Sequence, residues 1–147
     1  MQPDQLQAKL RDFEDLCRQK GIPLTVQRVA IFKAVLQRDD HPTADQVFEM
    51  VKQRIPQLSR TTVYRVLDAL AELGLVQRIF PTGTARFDGN VRRHHHLVCR
   101  HCGKIIDLED QTLDQLPLPT SELGGFEIDD FSIHFAGSCA ACRRTGA

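Results

Sequence analysis

Four cysteines form two pairs of identical spacing, and they are the residues best suited to chemistry in this sequence. Each pair, Cys99–Cys102 and Cys139–Cys142, leaves two residues between its thiols, so one tight turn can present both sulfurs to a single ion. Two such turns supply four soft ligands, the usual set of a closed tetrahedral zinc site. The spacing therefore predicts one structural zinc ion bound by Cys99, Cys102, Cys139 and Cys142.

Disulfide bonds and a redox-active Cys-x-x-Cys are the alternative interpretations of these pairs. The sequence does not open with the charged and apolar segments of a secretory signal. We therefore expect a cytoplasmic protein in a reducing environment, where disulfides are disfavoured. The fifth cysteine, Cys17, lies on the apolar side of a predicted helix, and we expect it to be a small core residue.

Histidines and aspartates suggest a second metal site. His94 and His96 share one face of a predicted strand, because alternate residues of a strand point the same way. Asp107 lies on the neighbouring predicted strand, at the end away from the cysteine turn, and Asp88 closes a predicted hairpin. His41, in a loop between helices, could complete the group. Three imidazoles and two carboxylates suit Fe(II), Mn(II) or Zn(II), although a histidine run alone could also bind metal adventitiously.

One predicted helix, from Arg60 to Leu73, carries polar residues at the place where a DNA-recognition helix needs them. Its inward stripe is apolar, while hydroxyl, phenol and guanidinium groups crowd its first two turns, where such groups contact phosphates and base edges. A solvated helix face is the alternative, but a predicted hairpin directly after the helix favours DNA binding. The net charge is zero, so DNA affinity must come from a local cluster. The candidates are Arg28, Ser59, Arg60, Thr61, Thr62, Tyr64 and Arg65, with Lys33, Arg78 and Arg86 available to flanking phosphates.

The surrounding pattern predicts an α+β chain whose first half is a winged helix. Apolar residues recur with helical spacing over residues 4–20 and after Thr25, Thr43 and Ser59, each of which can cap a helix. Gly74 is suited to end the last helix. Two short strands, over residues 75–80 and 85–88, enclose the turn Pro81–Thr84. We predict a DNA-binding domain over residues 1–88 and a hinge over residues 89–93.

The second half, residues 94–147, is predicted to be a zinc-stapled α/β dimerisation domain. Strands are expected over residues 95–99, 104–109 and 126–135, with a short helix near residues 111–116. A hydrophobic fraction of 41% with 26% charged residues is typical of a soluble globular protein. No apolar run approaches the roughly 18 residues that a membrane span needs, so no membrane association is expected.

Several of these motifs together resemble the ferric uptake regulator (Fur) superfamily. Their order along the chain is that of the family, and the resemblance covers nearly the whole sequence. The motifs are Thr25-Val-Gln-Arg28, His41-Pro-Thr-Ala44, Ser59-Arg-Thr-Thr-Val-Tyr-Arg65, Arg86-Phe-Asp88, His94-His-His-Leu-Val-Cys-Arg-His-Cys-Gly103 and Lys104-Ile-Ile-Asp107.

Within that superfamily the sequence most resembles the peroxide-sensing PerR branch, because Asp88 and Asp107 stand where iron-sensing relatives tend to carry glutamate. The resemblance implies a regulatory Fe(II) or Mn(II) site at His41, Asp88, His94, His96 and Asp107. It also implies a homodimeric repressor of a pseudo-palindromic double-stranded operator, released when peroxide oxidises His41 or His94 in the iron form. Two departures from relatives are His95, often an aromatic residue in PerR, and Phe131, at a ligand histidine of iron sensors.

Other functions compete with peroxide sensing. The same architecture serves repressors of iron, zinc or manganese homeostasis. A mononuclear metalloenzyme is a different class, but the sequence offers no acid, base or nucleophile beside the ligands, so no enzyme is expected. A zinc-stapled adaptor and a haem-responsive regulator are the remaining alternatives, and the cysteine pairs disfavour the second.

Overall fold

The computed structural model describes residues 3–80, 83–118, 124–128 and 130–145. These residues form two compact units, Met1–Val91 and Arg92–Ala147. In the described part of the chain no helix is long and apolar enough to cross a membrane.

The first unit begins with four helices whose ends follow local sequence signals. They are α1 (Pro3–Lys20), α2 (Val26–Leu36), α3 (Ala44–Lys52) and α4 (Arg60–Glu72). The side chains of Thr25, Thr43 and Ser59 each accept a hydrogen bond from a backbone N–H in the first turn of α2, α3 and α4. Gln46 completes a capping box with Thr43. Gly74 has a φ of 69° just beyond α4, a conformation that glycine adopts without strain.

A two-stranded antiparallel hairpin follows the helices. Its strands are β1 (Gln77–Ile79) and β2 (Arg86–Asp88), with Arg78 opposite Phe87. The tip of the predicted turn, residues 81 and 82, lies outside the described residues. Helices α2, α3 and α4, followed by this hairpin, form the predicted winged helix, and this prediction is confirmed.

The core of the first unit is built from the inward faces of its helices and of β2. Phe13 and Phe32 pack with their ring centroids 5.0 Å apart, beside Ile31 and Leu67. Cys17 belongs to the same core and is 1% exposed, as predicted. Burial raises the pKa of its thiol, so it carries little of the thiolate that reactivity requires.

The second unit is a three-stranded sheet with two short helices. Its elements are β3 (His95–Cys99), β4 (Ile105–Leu108), α5 (Gln111–Asp114), β5 (His134–Gly137) and α6 (Ala140–Thr145). The strand order is β4-β3-β5, with β4 antiparallel and β5 parallel to the central strand. Because β3 carries both the histidine run and Cys99, one strand positions parts of both candidate metal sites.

The sequence prediction was wrong over part of the last strand. A strand was expected over residues 126–135, but residues 126–128 and 130–133 are not in a strand, and β5 begins only at His134. Alternating Phe126 and Ile128 imitate a strand pattern, yet the ladder with β3 runs from His96–His134 to Cys99–Gly137. The register places Gly137 beside Cys99, just before the second cysteine pair. Helix α6, which follows Cys139, was not predicted.

Candidate functional site

The four paired cysteines lie together at one end of the three-stranded sheet. Their sulfur atoms all lie within 4.8 Å of one another. The sulfurs of Cys102 and Cys139 are 3.8 Å apart, which matches the separation of about 3.8 Å around a tetrahedral ion with Zn–S bonds of about 2.3 Å. Cys99 ends β3, and the backbone N–H of Cys139 donates to its sulfur. The donor set and its geometry therefore fit a structural zinc ion.

The cysteine thiols differ in acidity before any metal binds. The pKa of Cys99 is lowered to about 5, because the backbone N–H groups of Cys102 and Cys139 donate to its sulfur. The pKa of Cys142 is raised to about 12, because its thiol is hydrogen-bonded to the sulfurs of Cys139 and Cys102. At neutral pH the cluster thus contains a ready thiolate at Cys99 and a retained proton at Cys142.

Zinc binding to the metal-free protein is therefore expected to release protons at neutral pH. Cys99 has already lost its proton there, whereas Cys142 must give one up to become a ligand, since only the thiolate binds the metal. Affinity should consequently rise with pH. Calorimetric zinc titrations in buffers of different ionisation enthalpy measure the release, and chelator competition at two pH values checks its sign. Binding without net proton release, or tighter binding at the lower pH, would contradict this arrangement.

The ring of His94, just before β3, has its Nδ1 hydrogen-bonded and its Nε2 near a carboxylate. Its Nδ1 lies 2.7 Å from the backbone carbonyl oxygen of Arg92. A carbonyl only accepts, so Nδ1 carries the proton and Nε2 presents a lone pair. Nε2 lies 3.7 Å from Oδ1 of Asp107, which is opposite His96 in the β3–β4 ladder. A carbonyl behind Nδ1 is the arrangement that fixes the tautomer of metal-binding histidines.

His95, the next residue, is held in the opposite tautomer. The backbone N–H of Ile133 donates to its Nδ1, so the ring proton lies on Nε2, which is 3.3 Å from Oδ1 of Asp114. Its ring is fully buried and stacks on Phe131 with centroids 6.0 Å apart. Its Nδ1 is thus hydrogen-bonded within the protein, and its Nε2 faces the Asp114 carboxylate without a hydrogen bond. His95 therefore lies between β3, α5 and the segment before β5.

The remaining histidines of the second unit differ in their surroundings. The rings of His94 and His96 are 4.6 Å apart, so both point to the same side of β3. His96 is fully buried, and His134 packs edge-on against it at 5.0 Å. His101 lies exposed in the first cysteine turn and bonds to the hydroxyl of Ser138. His94, His96 and Asp107 therefore form one group, and His101 lies in the cysteine turn instead.

In the first unit, His41 and Asp88 form a second group. Nε2 of His41 lies 3.2 Å from Oδ2 of Asp88, and both residues are buried. His41 has a φ of 53°, and among the described residues it is the only non-glycine with positive φ. Such backbone strain is typical of positions that are held for function. Nothing in the amino-acid sequence predicted this strain.

Two contacts from β2 hold the His41 loop in place. The backbone N–H of Phe87 donates to the carbonyl oxygen of Pro42 at 3.0 Å, and Nη1 of Arg86 donates to that of His41 at 3.2 Å. Asp88, the next residue of the same strand, accepts a bond from the N–H of Asn90. The hairpin thus fixes both potential ligands of this unit. Arg86 was a candidate for contacts to DNA phosphates, but its guanidinium donates to the backbone of His41.

The residues suggested for DNA binding fall into three groups. Ser59 and Thr62 are occupied in capping α4, with their hydroxyl oxygens 2.8 Å apart. The guanidinium of Arg28 donates to the carbonyl of Pro23, and that of Arg60 pairs with α3. The third group, Thr61, Tyr64 and Arg65 on α4, is exposed, as is Arg60. The DNA contacts of all seven stay predictions.

Comparison with known proteins decides the family. The sequence model of the Ferric uptake regulator family matches residues 19–136. The chain belongs to this family. It is 30% identical over 127 residues to the peroxide-responsive repressor PerR of Staphylococcus aureus strain Mu50, covering 86% of each chain.

Solved structures of Fur proteins share the fold. The ferric uptake regulator of Francisella tularensis with iron superposes with a TM-score of 0.69 at 27% identity, covering 84% of this chain and 96% of that one. The Helicobacter pylori ferric uptake regulator has a TM-score of 0.74 at 18% identity, covering 94% and 93%; at that identity the likeness concerns the fold alone. As a member of the family, this chain is a dimeric, DNA-binding, metal-dependent repressor and not an enzyme.

Proposed function

We propose that this Fur-family repressor senses peroxide through a regulatory Fe(II) site with ligands from both units. His41 and Asp88 would come from the first unit, and His94, His96 and Asp107 from the second. The observation that carries the proposal is the tautomer of His94, because a lone pair on a buried Nε2, beside a carboxylate, is what a divalent ion requires. His95 does not join this set, since its Nδ1 accepts from the N–H of Ile133 and its Nε2 faces Asp114.

The donor count of each unit supports a shared ion. His41 and Asp88 supply two ligands, and the second unit supplies three, so neither group alone completes the coordination of a borderline metal such as Fe(II) or Mn(II). A metal bound by both groups would link the DNA-binding unit to the dimerisation unit. Its binding would then favour one arrangement of the two recognition helices, and DNA would tighten metal binding by the same factor.

The surface of the sheet supports dimerisation through the second unit. Leu97 is the direct cross-strand neighbour of both Ile106 and Phe135, so the three side chains share one face. They are 39%, 42% and 44% exposed. An apolar patch of this kind is a typical protein interaction surface. We place the dimer contact there, which leaves α4 of each protomer available to one half of a pseudo-palindromic operator.

Peroxide sensing, as opposed to simple metal sensing, is favoured by the carboxylates and by the relatives. Both acidic ligands are aspartates, and PerR proteins of Staphylococcus aureus and Staphylococcus epidermidis are 29–30% identical over most of the chain. Bound Fe(II) would activate the peroxide, and the two electrons consumed overall would come from the imidazole ring. One peroxide oxygen would then replace hydrogen at a ring carbon of His41 or His94 as a hydroxyl, equivalent to the oxo tautomer, and the other would leave as water. The oxidised ring is a poorer ligand, so the metal would leave and repression would end.

Mass spectrometry tests this proposal. After treatment of the Fe(II)-loaded protein with peroxide, we expect the mass of one oxygen atom on His41 or His94, and none in a Mn(II)-loaded control. Trypsin should release His41 within residues 39–52, which also contain Met50, so fragment ions must separate ring oxidation from methionine sulfoxide. His94 should be released within residues 94–100. Oxidised cysteine with ejected zinc, or an unmodified iron form, would contradict the proposal and favour a repressor of metal homeostasis.

A further inference from the structure

Arg60, the first residue of the recognition helix α4, is bound to the neighbouring helix. Its Nη1 pairs with Asp45 and its Nη2 lies 2.8 Å from Oε1 of Glu49, both on α3. Between these carboxylates the guanidinium lies 4.3 Å above the ring centroid of Phe48. Both terminal nitrogens of this arginine thus face carboxylates of α3, and its guanidinium lies over a ring of the same helix.

The position of Arg60 explains why α3 must hold it. A cation in the first turn of a helix opposes the helix dipole, and α4 has no acidic residue of its own there. Asp45 and Glu49 supply the missing negative charge from α3. In return, the guanidinium neutralises both carboxylates.

Arg65, further along α4, differs from Arg60 in its contacts. Like Arg60 it is exposed, but no ion pair involves it among the residues that the structure describes. Tyr64 beside it is 48% exposed. Asp68, on the next turn, pairs with Arg78 of β1. Helix α4 therefore forms ion pairs with α3 at its first residue and with the hairpin at Asp68. Tyr64 and Arg65 lie between these two contacts.

We infer that Arg60 is a positioning residue, which fixes the first turn of α4 on α3, and that it does not contact DNA. This inference rests on DNA binding by α4 and not on peroxide sensing. If Arg60 turned instead toward a phosphate, it would leave Asp45 and Glu49 unpaired beside a polyanion, so most of the electrostatic gain would be lost. Each exposed ion pair contributes little to stability, so the effect belongs in DNA recognition and not in folding.

A double-mutant cycle with salt dependence tests the inference. The probe is a duplex selected from a random library by the full-length, Mn(II)-loaded protein, compared with a scrambled duplex of equal length. The variants are Arg60→Ala, the pair Asp45→Asn with Glu49→Gln, and all three together. Each must keep the thermal midpoint and dimeric mass of the wild type.

A positioning role predicts the following results. Arg60→Ala lowers the ratio of selected to scrambled affinity by about tenfold, within the range of contacting residues that couple, and the paired α3 variant lowers the ratio similarly. Adding Arg60→Ala to the α3 variant then has little further effect. The salt slope of binding stays the same in Arg60→Ala. Arg60→Lys does not restore the ratio, because an ammonium cannot span two carboxylates as the planar fork does.

A DNA contact predicts the reverse. Arg60→Ala would then reduce the slope by about 0.9, the value for one phosphate contact, and would cost as much in the α3 variant as in the wild type. An α3 variant whose ratio of selected to scrambled affinity equals that of the wild type would also overturn the inference. Arg65→Ala and Arg18→Ala are the matched controls. Arg65→Ala should lower the ratio of selected to scrambled affinity equally in the wild type and in the α3 variant. Arg18→Ala should leave the ratio unchanged, because the Arg18 guanidinium pairs with Asp15 on α1 at 3.1 Å.

Discussion

A Cys99→Ser protein is expected to lose its zinc and, with it, most of the structure of the second unit. The buried apolar residues described in that unit are Val98, Cys99 and Ile105. A core in so small a domain rarely supplies more than about 3–5 kcal/mol, whereas structural zinc contributes about 10–16 kcal/mol to the folding of small zinc domains. The loss should appear as absent zinc in elemental analysis, a monomeric mass in solution and a lower thermal midpoint.

The fifth cysteine provides the control for this experiment. Cys17→Ala removes a thiol from the core of the first unit, so it should lower stability but leave zinc content and dimerisation unchanged. Removal of any one of Cys102, Cys139 or Cys142 should reproduce the Cys99→Ser result. A zinc-free Cys99→Ser protein that stays dimeric with an unchanged thermal midpoint would show that the cysteine cluster does not maintain this unit.

Features with local determinants were predictable from the amino-acid sequence. Thr25, Thr43 and Ser59 each act on a backbone N–H only three residues away, so the sequence nearby is enough to predict the start of a helix. The cysteine pairs were equally accessible, because a two-residue gap confines both thiols to one turn. Asp107 was expected beside His94 and His96 from its place at the far end of the neighbouring strand, and the register puts it opposite His96.

Features set by distant contacts were not predictable. The strand expected over residues 126–135 was misplaced, because its pairing with β3 is set by the approach of the second cysteine pair. The opposite tautomers of His94 and His95 depend on the carbonyl of Arg92 and the N–H of Ile133. Arg60 was grouped with Arg65 because both are cations on one helix, and nothing in the sequence revealed its ion pairs with α3.

A His41→Asn protein is expected to fold and dimerise yet fail to respond to the regulatory metal. Asparagine tolerates the positive φ of this position better than alanine, and its amide can still bond to Asp88, so the loop should keep its shape. What disappears is the imidazole, and with it a metal ligand from the first unit. Typical coupling between two sites is about 1–3 kcal/mol, so affinity for the selected duplex at saturating Mn(II) should fall roughly 5- to 150-fold, toward that of the metal-free wild type.

The matched control for His41→Asn is His101→Asn, which removes an exposed imidazole beside the cysteine cluster and should leave the Mn(II) response intact. Zinc content should be normal in both proteins, because neither histidine is a predicted zinc ligand. The decisive quantity is the ratio of DNA affinities with and without Mn(II), since a general loss of binding would lower both values alike. A His41→Asn protein whose ratio matches the wild type would remove His41 from the regulatory site and, with it, the proposed metal link between the two units.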